Sequence, residues 1–249
     1  MEYIILAAGG NATAIVLIDA LCDRTWYEEQ GRELMQCTEH LGVEQAGFLH
    51  LDSRHFEMSG GEFCGNAARS AAMLIAKHAN VAEFDFTMSG YEGSVHAKVV
   101  LEDSKAFVTC TFPNLQATAQ PVVFQDGGEG EVVDLGGIVH VLVKEPFLND
   151  RSVYEAKHRK ITEELRLTER SAVGLCWLVF TDSGVVLHPV VWVRGIDSFF
   201  YETACGSGSI AAGVATGMTE IIQPSGQSIS VVVDNTGIHL SSSMEILDA

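Results

Sequence analysis

Two segments with the same uncommon pattern lie about half a chain apart in this sequence. They read GGEFCGNAARSAAMLIAK and YETACGSGSIAAGVATGM. In each, a glutamate precedes a cysteine, Cys-Gly follows, and the chain continues into a run rich in alanine. The two cysteines, Cys64 and Cys205, are 141 residues apart in a chain of 249. This echo predicts two small-residue helices that begin at the cysteines, with an internal duplication as the interpretation and ordinary close packing of two such helices as the alternative.

The segments around these helices are mostly strand-like. Apolar runs separated by glycine turns predict strands through both halves, beginning with a pair around Gly9-Gly10-Asn11. Helical spacing of apolar residues predicts four helices, at about 26–41, 64–77, 152–165 and 205–218. We therefore predict an α+β fold of two similar halves, each mostly β with one alanine-rich helix.

Charge and hydropathy exclude several classes of function. A formal net charge of −18 would repel a phosphate backbone, which argues against nucleic-acid binding. No apolar run approaches the roughly 20 residues that cross a bilayer, which argues against a membrane protein. The opening MEYIILAAGG has no basic n-region and is typical of a strand rather than a signal peptide, so we predict a cytoplasmic protein.

The six cysteines show none of the paired spacings that hold metal ions, so we predict no metal site. Free cysteines commonly pack as small buried residues, and we expect this of Cys22, Cys37, Cys110 and Cys176. Cys64 and Cys205 differ because each is predicted at a helix N-terminus. There the free amides and the helix dipole lower the pKa of a thiol.

Two such helix starts facing each other predict one reaction in particular. The N–H groups at Gly65-Asn66 and Gly206-Ser207 would hold an α-carboxylate. Its α-carbon would then lie between the sulfurs, where one thiolate removes a proton and the opposite thiol delivers another to the far face. No lysine-anchored pyridoxal site is evident, so the route would need no cofactor. The sequence thus predicts an amino-acid racemase or epimerase with two cysteine bases.

The same segments resemble the diaminopimelate epimerase superfamily. Residues 62–66 match its E-x-C-G-N motif, and residues 202–208 resemble its G-E-T-x-A-C-G-T-G motif. Gly9-Gly10-Asn11 is similar to the family's opening G-N-D-F element, and residues 136–140 stand where the family has G-N-P-H. The resemblance implies two pseudo-symmetric, mostly β domains, each wrapping a central helix, with the active site in the cleft between them.

We place these domains at residues 1–117 and 118–249, with the last strand free to return to the first domain. The resemblance implies that Cys64 and Cys205 are the catalytic pair. Asn11 and Asn66 would contact the α-amino and carboxylate groups of the substrate. The only partner expected is a small amino acid, and a homodimer is compatible with the family.

Further substrate-binding residues follow from the same resemblance. Glu202 would bind the α-ammonium group or orient its neighbour, with a carboxylate that stabilises the helix N-terminus as the alternative. Glu44 and Gln45 fall near another binding loop of the family, with a surface turn as the alternative. His140 would orient the site, with a buried strand histidine as the alternative. The complete predicted binding set is Asn11, Glu44, Gln45, Gly65, Asn66, His140, Glu202, Gly206 and Ser207.

The departures from the family pattern concern the substrate. Diaminopimelate epimerases carry an arginine for the distal carboxylate where this chain has Ser198-Phe199-Phe200-Tyr201 before Glu202. In the family, an asparagine also contacts the distal end of the substrate, and Ala172 stands at the corresponding position in this chain. Both changes remove hydrogen-bond donors for the amino and carboxylate groups at the distal end of diaminopimelate, so we do not expect it as substrate.

The segments FEMSGGEFCGNA and FYETACGSG are more similar to the histidine racemases of this superfamily, which are associated with opine-type metallophore synthesis. An imidazole could stack on one of three aromatic residues, with ordinary core packing as the alternative for all three. These residues are Phe199, Phe200 and Tyr201. The candidate hydrogen-bond partners of the imidazole are Glu44, Gln45 and Glu57. Histidine is therefore the favoured substrate.

Three other functions stay open at this point. Proline and hydroxyproline racemases also use two cysteines, but Asn66 and the lack of a proline before Cys205 differ from their motifs. Phenazine-type isomerases share the fold without the cysteine pair. Outside the enzymes, Cys64 and Cys205 could form the reversible disulfide of a redox switch, although a switch would not need the amide cradles.

Overall fold

The computed structural model describes residues 2–247, which form sixteen strands, four α-helices and one short 3₁₀-helix. The strands are β1 (Glu2–Ala7), β2 (Ala12–Leu17), β3 (Val43–His50), β4 (His55–Met58), β5 (Glu83–Met88), β6 (Val95–Glu102), β7 (Lys105–Phe112), β8 (Ala119–Val123), β9 (Glu129–Asp134), β10 (Val139–Val143), β11 (Ala172–Thr181), β12 (Gly184–Val193), β13 (Ser198–Tyr201), β14 (Glu220–Ile222), β15 (Ser228–Asp234) and β16 (Gly237–Leu247). The helices are α1 (Arg24–Thr38), α2 (Gly65–Ala79), α3 (Arg151–Glu164) and α4 (Gly206–Thr216), and the 3₁₀-helix is Glu39–Leu41.

All sixteen strands belong to one continuous sheet. Strands β1 to β7 follow one another in space and β16 comes next, pairing antiparallel with β7. Because β16 also pairs with β1, these eight strands close into a ring. The sheet continues from β16 through β15, β14, β12, β11, β10 and β9 to β8, and β13 pairs with β12 at one side. The last strand is therefore shared by the ring and by the rest of the sheet.

Helix α2 runs inside the ring. It contacts strands β1, β2, β4, β5, β6, β7 and β16, and its residues 65–76 are all buried. Alanine fills five of these twelve positions, and small side chains let the strands approach the helix at the density of a protein interior. Helix α4 is packed in the same way by strands β8 to β12 and β14 to β16, with residues 206–213 buried. Both alanine-rich helices are thus covered by sheet.

The sequence predicted a sheet-rich α+β fold with four helices in these places, and the structure confirms this. Strands β13 and β14 were not predicted, because they have only four and three residues and depend on pairing with β12. None of the helices among residues 2–247 is long and apolar enough to cross a membrane.

The prediction that the four other cysteines are buried is confirmed for two of them and wrong for the other two. Cys110 and Cys176 are buried, whereas Cys22 and Cys37 are exposed. Helix α1 turns Tyr27 and Gly31 inward, so Cys37 lies on its outer face. Cys22 lies in the exposed segment that precedes this helix.

Candidate active site

The two motif cysteines occupy the same position on their helices. Cys64 and Cys205 are the N-cap residues of α2 and α4, both with extended backbone conformation. The Cys64 Sγ accepts a hydrogen bond from the N–H of Ala67 at 3.4 Å, and the Cys205 Sγ accepts one from the N–H of Gly208 at 3.3 Å. Each sulfur therefore takes the place of a capping oxygen and is held at the positive end of its helix.

The two helix starts touch each other through glycine. A Cβ atom at Gly206 would lie 2.9 Å from the backbone N of Asn66 and 2.9 Å from the carbonyl carbon of Gly65. Asn66 adds a link, because its Nδ2 donates to the carbonyl oxygen of Ala204 at 2.8 Å. The fold thus brings together two cysteines that are far apart in sequence, and both line one cavity.

This cavity, called here the thiol cavity, has a volume of only about 20 Å³. An adjoining side cavity of about 10 Å³ shares with it five residues, which are Gln45, Glu62, Val191, Val193 and Glu202. Three larger surface hollows of about 500 to 610 Å³ lie elsewhere, and neither thiol contributes to their walls.

Most of the predicted binding residues line these two cavities. Those at the thiol cavity are Gln45, Asn66, Glu202, Gly206 and Ser207, and Glu44 lies at the side cavity. The other three lie behind this first layer. Gly65 is at the helix contact, and Asn11 and His140 are completely buried behind residues that face the cavities.

Asn11 acts on the site through its neighbours. Its Nδ2 donates to Glu44 at 2.8 Å, and its Oδ1 accepts from the Nε2 of Gln45 at 2.7 Å. Gln45 also donates to Thr13 at 2.7 Å, which leaves its Oε1 to accept the Cys64 thiol hydrogen at 3.1 Å. The structure therefore connects Asn11 to the Cys64 sulfur.

His140 is connected to the other sulfur. Its Nε2 lies 2.9 Å from Ser207 Oγ, which in turn lies 3.7 Å from Cys205 Sγ. Its Nδ1 lies 3.4 Å from the sulfur of the buried Cys176. Burial lowers the pKa of His140 to about 3, so the ring is neutral near pH 7 and has one donor and one acceptor nitrogen.

The buried carboxyl groups at the site hold their protons unusually strongly. Burial raises the pKa of Glu44 to about 7 and that of Glu62 to about 7. Burial, with the charge of Glu44, raises the pKa of Glu202 to about 8. A cationic ligand would stabilise the ionised form of these groups, so the site favours a substrate with positive charge or N–H donors.

The expectation of low thiol pKa values is wrong for the empty site. Burial raises the pKa of Cys64 to about 12, and the charge of Glu202 adds to the effect. Burial and the same charge raise the pKa of Cys205 well above its ordinary value. The amide of Ala67 or Gly208 lowers each value by less. Desolvation therefore outweighs the helix N-terminus, and both thiols are protonated near pH 7.

Several residues that hold the site together were not found from the sequence. Gln223 accepts the N–H of Cys205 at 2.9 Å. Arg69 is completely buried on α2 and donates to the Asn66 Oδ1 at 2.5 Å and to Ser242 at 2.7 Å. A single arginine in an alanine-rich helix was a usable signal, because an isolated buried cation is costly without such partners.

The three aromatic residues before Glu202 lie on a strand, so alternate residues point to opposite faces of the sheet. Phe200 lines the side cavity. Phe199 and Tyr201 point to the other face of the sheet and pack around Tyr154. The expected stacking role is therefore geometrically open only to Phe200. Glu57 was also a candidate hydrogen-bond partner of the imidazole. It pairs with Arg24 and His55 instead and lines neither cavity.

Within residues 2–247, no group of three or more His, Cys, Asp or Glu side chains is placed to hold a metal ion. The candidate site therefore consists of two thiols, three buried carboxyl groups and the amides of two helix N-termini.

Curated relatives over nearly the whole chain are named histidine racemases. One from Fusobacterium nucleatum subsp. nucleatum is 25% identical, with the match covering 99% of this chain and 95% of the relative. One from Staphylococcus aureus is 24% identical, over 82% of this chain and 76% of the relative.

Two solved structures share the fold. A phenazine biosynthesis protein of the PhzF family from Enterococcus faecalis has a TM-score of 0.58 at 14% identity and covers 100% of this chain and 98% of its own. A predicted epimerase from Pseudomonas aeruginosa has a TM-score of 0.61 at 16% identity and covers 99% of this chain and 96% of its own. At such low identity these likenesses concern the fold alone. The family model described as the histidine racemase CntK N-terminal domain matches residues 1–245, and the chain therefore belongs to the histidine racemase family, a family of isomerases.

Proposed function

We propose that this protein interconverts L- and D-histidine by a two-base mechanism in which Cys64 and Cys205 are the acid and the base, without a cofactor. One observation carries the proposal: two sulfurs that cap two different helices line the same small cavity. Inversion of an α-carbon needs a proton acceptor on one face and a proton donor on the other. Two thiols that line one cavity would supply both, one on each face of a bound α-carbon.

The helix N-termini supply the second requirement. Helical geometry gives the N–H groups of Gly65, Asn66, Gly206 and Ser207 no acceptor within their own helices. Held against an α-carboxylate, these donors would stabilise the negative charge that develops as the α-proton leaves. A fixed donor of this kind is worth about 3 kcal/mol in other enzymes.

Substrate binding would also prepare the thiols. Both are protonated in the empty site, whereas the reaction needs one thiolate and one thiol. The α-ammonium group of a bound amino acid would bring positive charge close to Glu202 and Glu44, whose ionised forms it would stabilise. A carboxylate beside Cys205 could then accept its thiol proton, and the α-ammonium would offset the charge left on sulfur.

Histidine is proposed because of the family and because the residues that line the side cavity match the chemistry of its ring. Phe200, Val191 and Val193 form apolar walls, and Glu44 and Glu62 add carboxyl groups. A flat ring with N–H groups on its edge matches that combination.

We further propose that the ring around α2 and the sheet around α4 act as the two domains of a diaminopimelate epimerase-like arrangement, residues 1–117 and 118–249, with the site in the cleft between them. The return of β16 to the ring supports this interpretation. A cytoplasmic location and a homodimer belong to the same proposal.

The redox-switch alternative is less well supported. Sensor cysteines are accessible and have lowered pKa values. Cys64 and Cys205 are buried, and their pKa values are raised.

The test is hydrogen exchange at the α-carbon. The reduced protein is incubated with L-histidine in D₂O, and deuterium incorporation is followed by NMR together with the appearance of D-histidine by chiral chromatography. We expect both, with no added metal or pyridoxal phosphate. Absence of exchange with histidine and with the other amino acids would refute the racemase proposal.

Single variants test the two-base mechanism. Cys64→Ser and Cys205→Ser should each lower racemisation by about 10²-fold or more, because positioned acid–base groups contribute 10²–10⁴-fold. Cys110→Ser is the matched control, since burial also raises the pKa of Cys110 to about 12 but it does not line the thiol cavity. Full turnover in both directions by either site variant would contradict the mechanism.

A further inference from the structure

Glu62 is a buried acid with an unused hydrogen-bond acceptor. Only 4% of the residue is exposed, and its Oε2 has no hydrogen-bond partner in the described part of the chain. Leaving a buried carboxyl oxygen unpaired is unfavourable, so such an atom usually has a missing partner. Five buried side-chain atoms between residues 2 and 247 share this condition, and Glu62 is the only one of their residues that lines the thiol cavity.

The position of Glu62 joins the two cavities. It lines the thiol cavity, where the α-carbon would lie, and also the side cavity with its apolar walls. The space beside Oε2 depends on a glycine, because a Cβ at Gly60 would lie 2.6 Å from that oxygen and 2.5 Å from a methyl group of Val193. Glu62 therefore lies where the proposed place of the α-carbon meets the cavity that the substrate's side chain would enter.

Neighbouring charges do not satisfy Glu62. Arg24 is the cation that influences it, but Arg24 Nη1 donates to Glu57 at 3.2 Å, Nη2 donates to the carbonyl oxygen of Met58 at 2.7 Å, and Nε makes no hydrogen bond within residues 2–247. Glu44, at the other part of the side cavity, is already bound on both oxygens by Asn11 and Thr203. Of these two acids, Glu62 is the one with an oxygen that has no hydrogen-bond partner among the described residues.

We propose that Glu62 determines specificity by accepting a hydrogen bond at Oε2 from an imidazole N–H of the substrate, whose ring lies between Val193 and Phe200. The inference rests on the proposed histidine racemase function. It assigns a role to Glu62, the glutamate of the E-x-C-G-N motif at residues 62–66. Burial raises the pKa of Glu62 to about 7, which suits an acid that ionises when an imidazole binds.

The experiment compares two substrates in wild-type protein. β-(2-Thienyl)alanine has a ring of similar shape to histidine but no N–H donor. A site that hydrogen-bonds its substrate rejects an analogue without the donor strongly, because the site's polar group is left unpaired. We expect α-deuterium exchange, measured as kcat/KM, to favour L-histidine over thienylalanine by about 10²-fold or more.

Glu62→Gln keeps the shape and removes the charge, and Glu62→Leu removes the acceptor. Loss of a charge-assisted hydrogen bond should lower kcat/KM for histidine by about 10- to 100-fold, mainly through KM, and leave thienylalanine nearly unchanged. Glu164→Gln is the matched control, because its Oε2 is also buried and unpartnered but it lies on α3 and lines neither cavity. That variant should keep the wild-type ratio.

The outcomes separate the inference from the function. Exchange of histidine by the wild type with equal preference for thienylalanine would overturn the role of Glu62 and leave the racemase standing. An equal loss for both substrates in Glu62→Gln would do the same, since it would indicate a structural or proton-transfer role. Exchange of neither substrate by the wild type would refute the proposed function itself. If Glu62→Leu fails to fold, Glu62→Gln and the two-substrate comparison still decide.

Discussion

Two opposing effects determine whether Cys64 and Cys205 ionise: burial raises the thiol pKa, and the nearby backbone amides lower it. Each sulfur accepts one N–H at the start of a helix, which favours the thiolate. Removal from water opposes this and is the larger effect, with Glu202 adding negative charge. A resting state with two thiols protects them from oxidation, because the thiolate is the reactive form.

This balance predicts slow alkylation of Cys64 in the free protein. With a pKa of about 12, its thiolate fraction at pH 7 is on the order of 10⁻⁵, and the rate should rise about tenfold for each pH unit between 7 and 10. Iodoacetamide labelling followed by peptide mass spectrometry measures this, with the exposed Cys22 and Cys37 as internal references. Rapid labelling of Cys64 at pH 7, at the rate of the exposed cysteines, would contradict the assignment.

The residues that could be predicted from sequence are those whose signal is local. Cys64, Cys205 and Asn66 belong to short motifs, and each lies at the thiol cavity. The indirect position of Asn11 behind Gln45, and of His140 behind Ser207, depends on side chains from other strands. The pKa rise of both thiols was missed for the same reason, since burial is a property of the folded chain.

At the scale of elements, the site depends on how closely α2 and α4 approach at their N-termini. Gly65 and Gly206 face each other there without room for a side chain on either. This contact sets the separation of two helices that come from different halves of the chain. The sequence predicted the helices and their small residues but not that these two glycines would touch.

Gly206→Ala should therefore separate the helix starts and reduce activity. The added methyl group would lie 2.9 Å from the backbone of Gly65 and Asn66, which cannot yield as a flexible side chain can. We expect racemisation to fall by about 10²-fold or more, since misplacement by 1 Å can cost that much, while the protein stays folded.

Gly128→Ala is the control for that substitution. At position 128 the nearest atom to the new methyl group would be the flexible Asp126 Oδ1 at 3.2 Å, in an exposed turn between β8 and β9. Histidine racemisation and circular dichroism should both match the wild type. Wild-type turnover in Gly206→Ala would show that the helix contact is not needed for catalysis.

The aromatic residues of β13 could not be assigned to faces from the sequence, because this strand was not predicted. All three were candidates for stacking because the segment was not assigned as a strand. Once it is a strand, alternation places Phe200 on one face and Phe199 and Tyr201 on the other. The segment is too short to be recognised without its partner β12, so pairing rather than local sequence decides its form.

At the scale of the whole molecule, the site is closed. A thiol cavity of about 20 Å³ holds about one water molecule and is far too small for an amino acid. The ring around α2 and the sheet around α4 are joined by residues 113–118 and by the pairing of β15 with β16. On the proposed function, we therefore expect the two parts to move apart about these connections for substrate entry, and closure afterwards would exclude water from the reaction.

Hydrogen exchange of the backbone can test this opening. The first turns of α2 and α4 lie at the contact that must separate, so amides in segments 62–70 and 203–209 should exchange through opening of the free protein. Saturating L-histidine should slow their exchange about tenfold or more, because the bound form is held closed. Helix α3, which lines a different hollow, is the internal control and should be unaffected. Equal protection of both helix starts with and without histidine would contradict entry by separation at this contact.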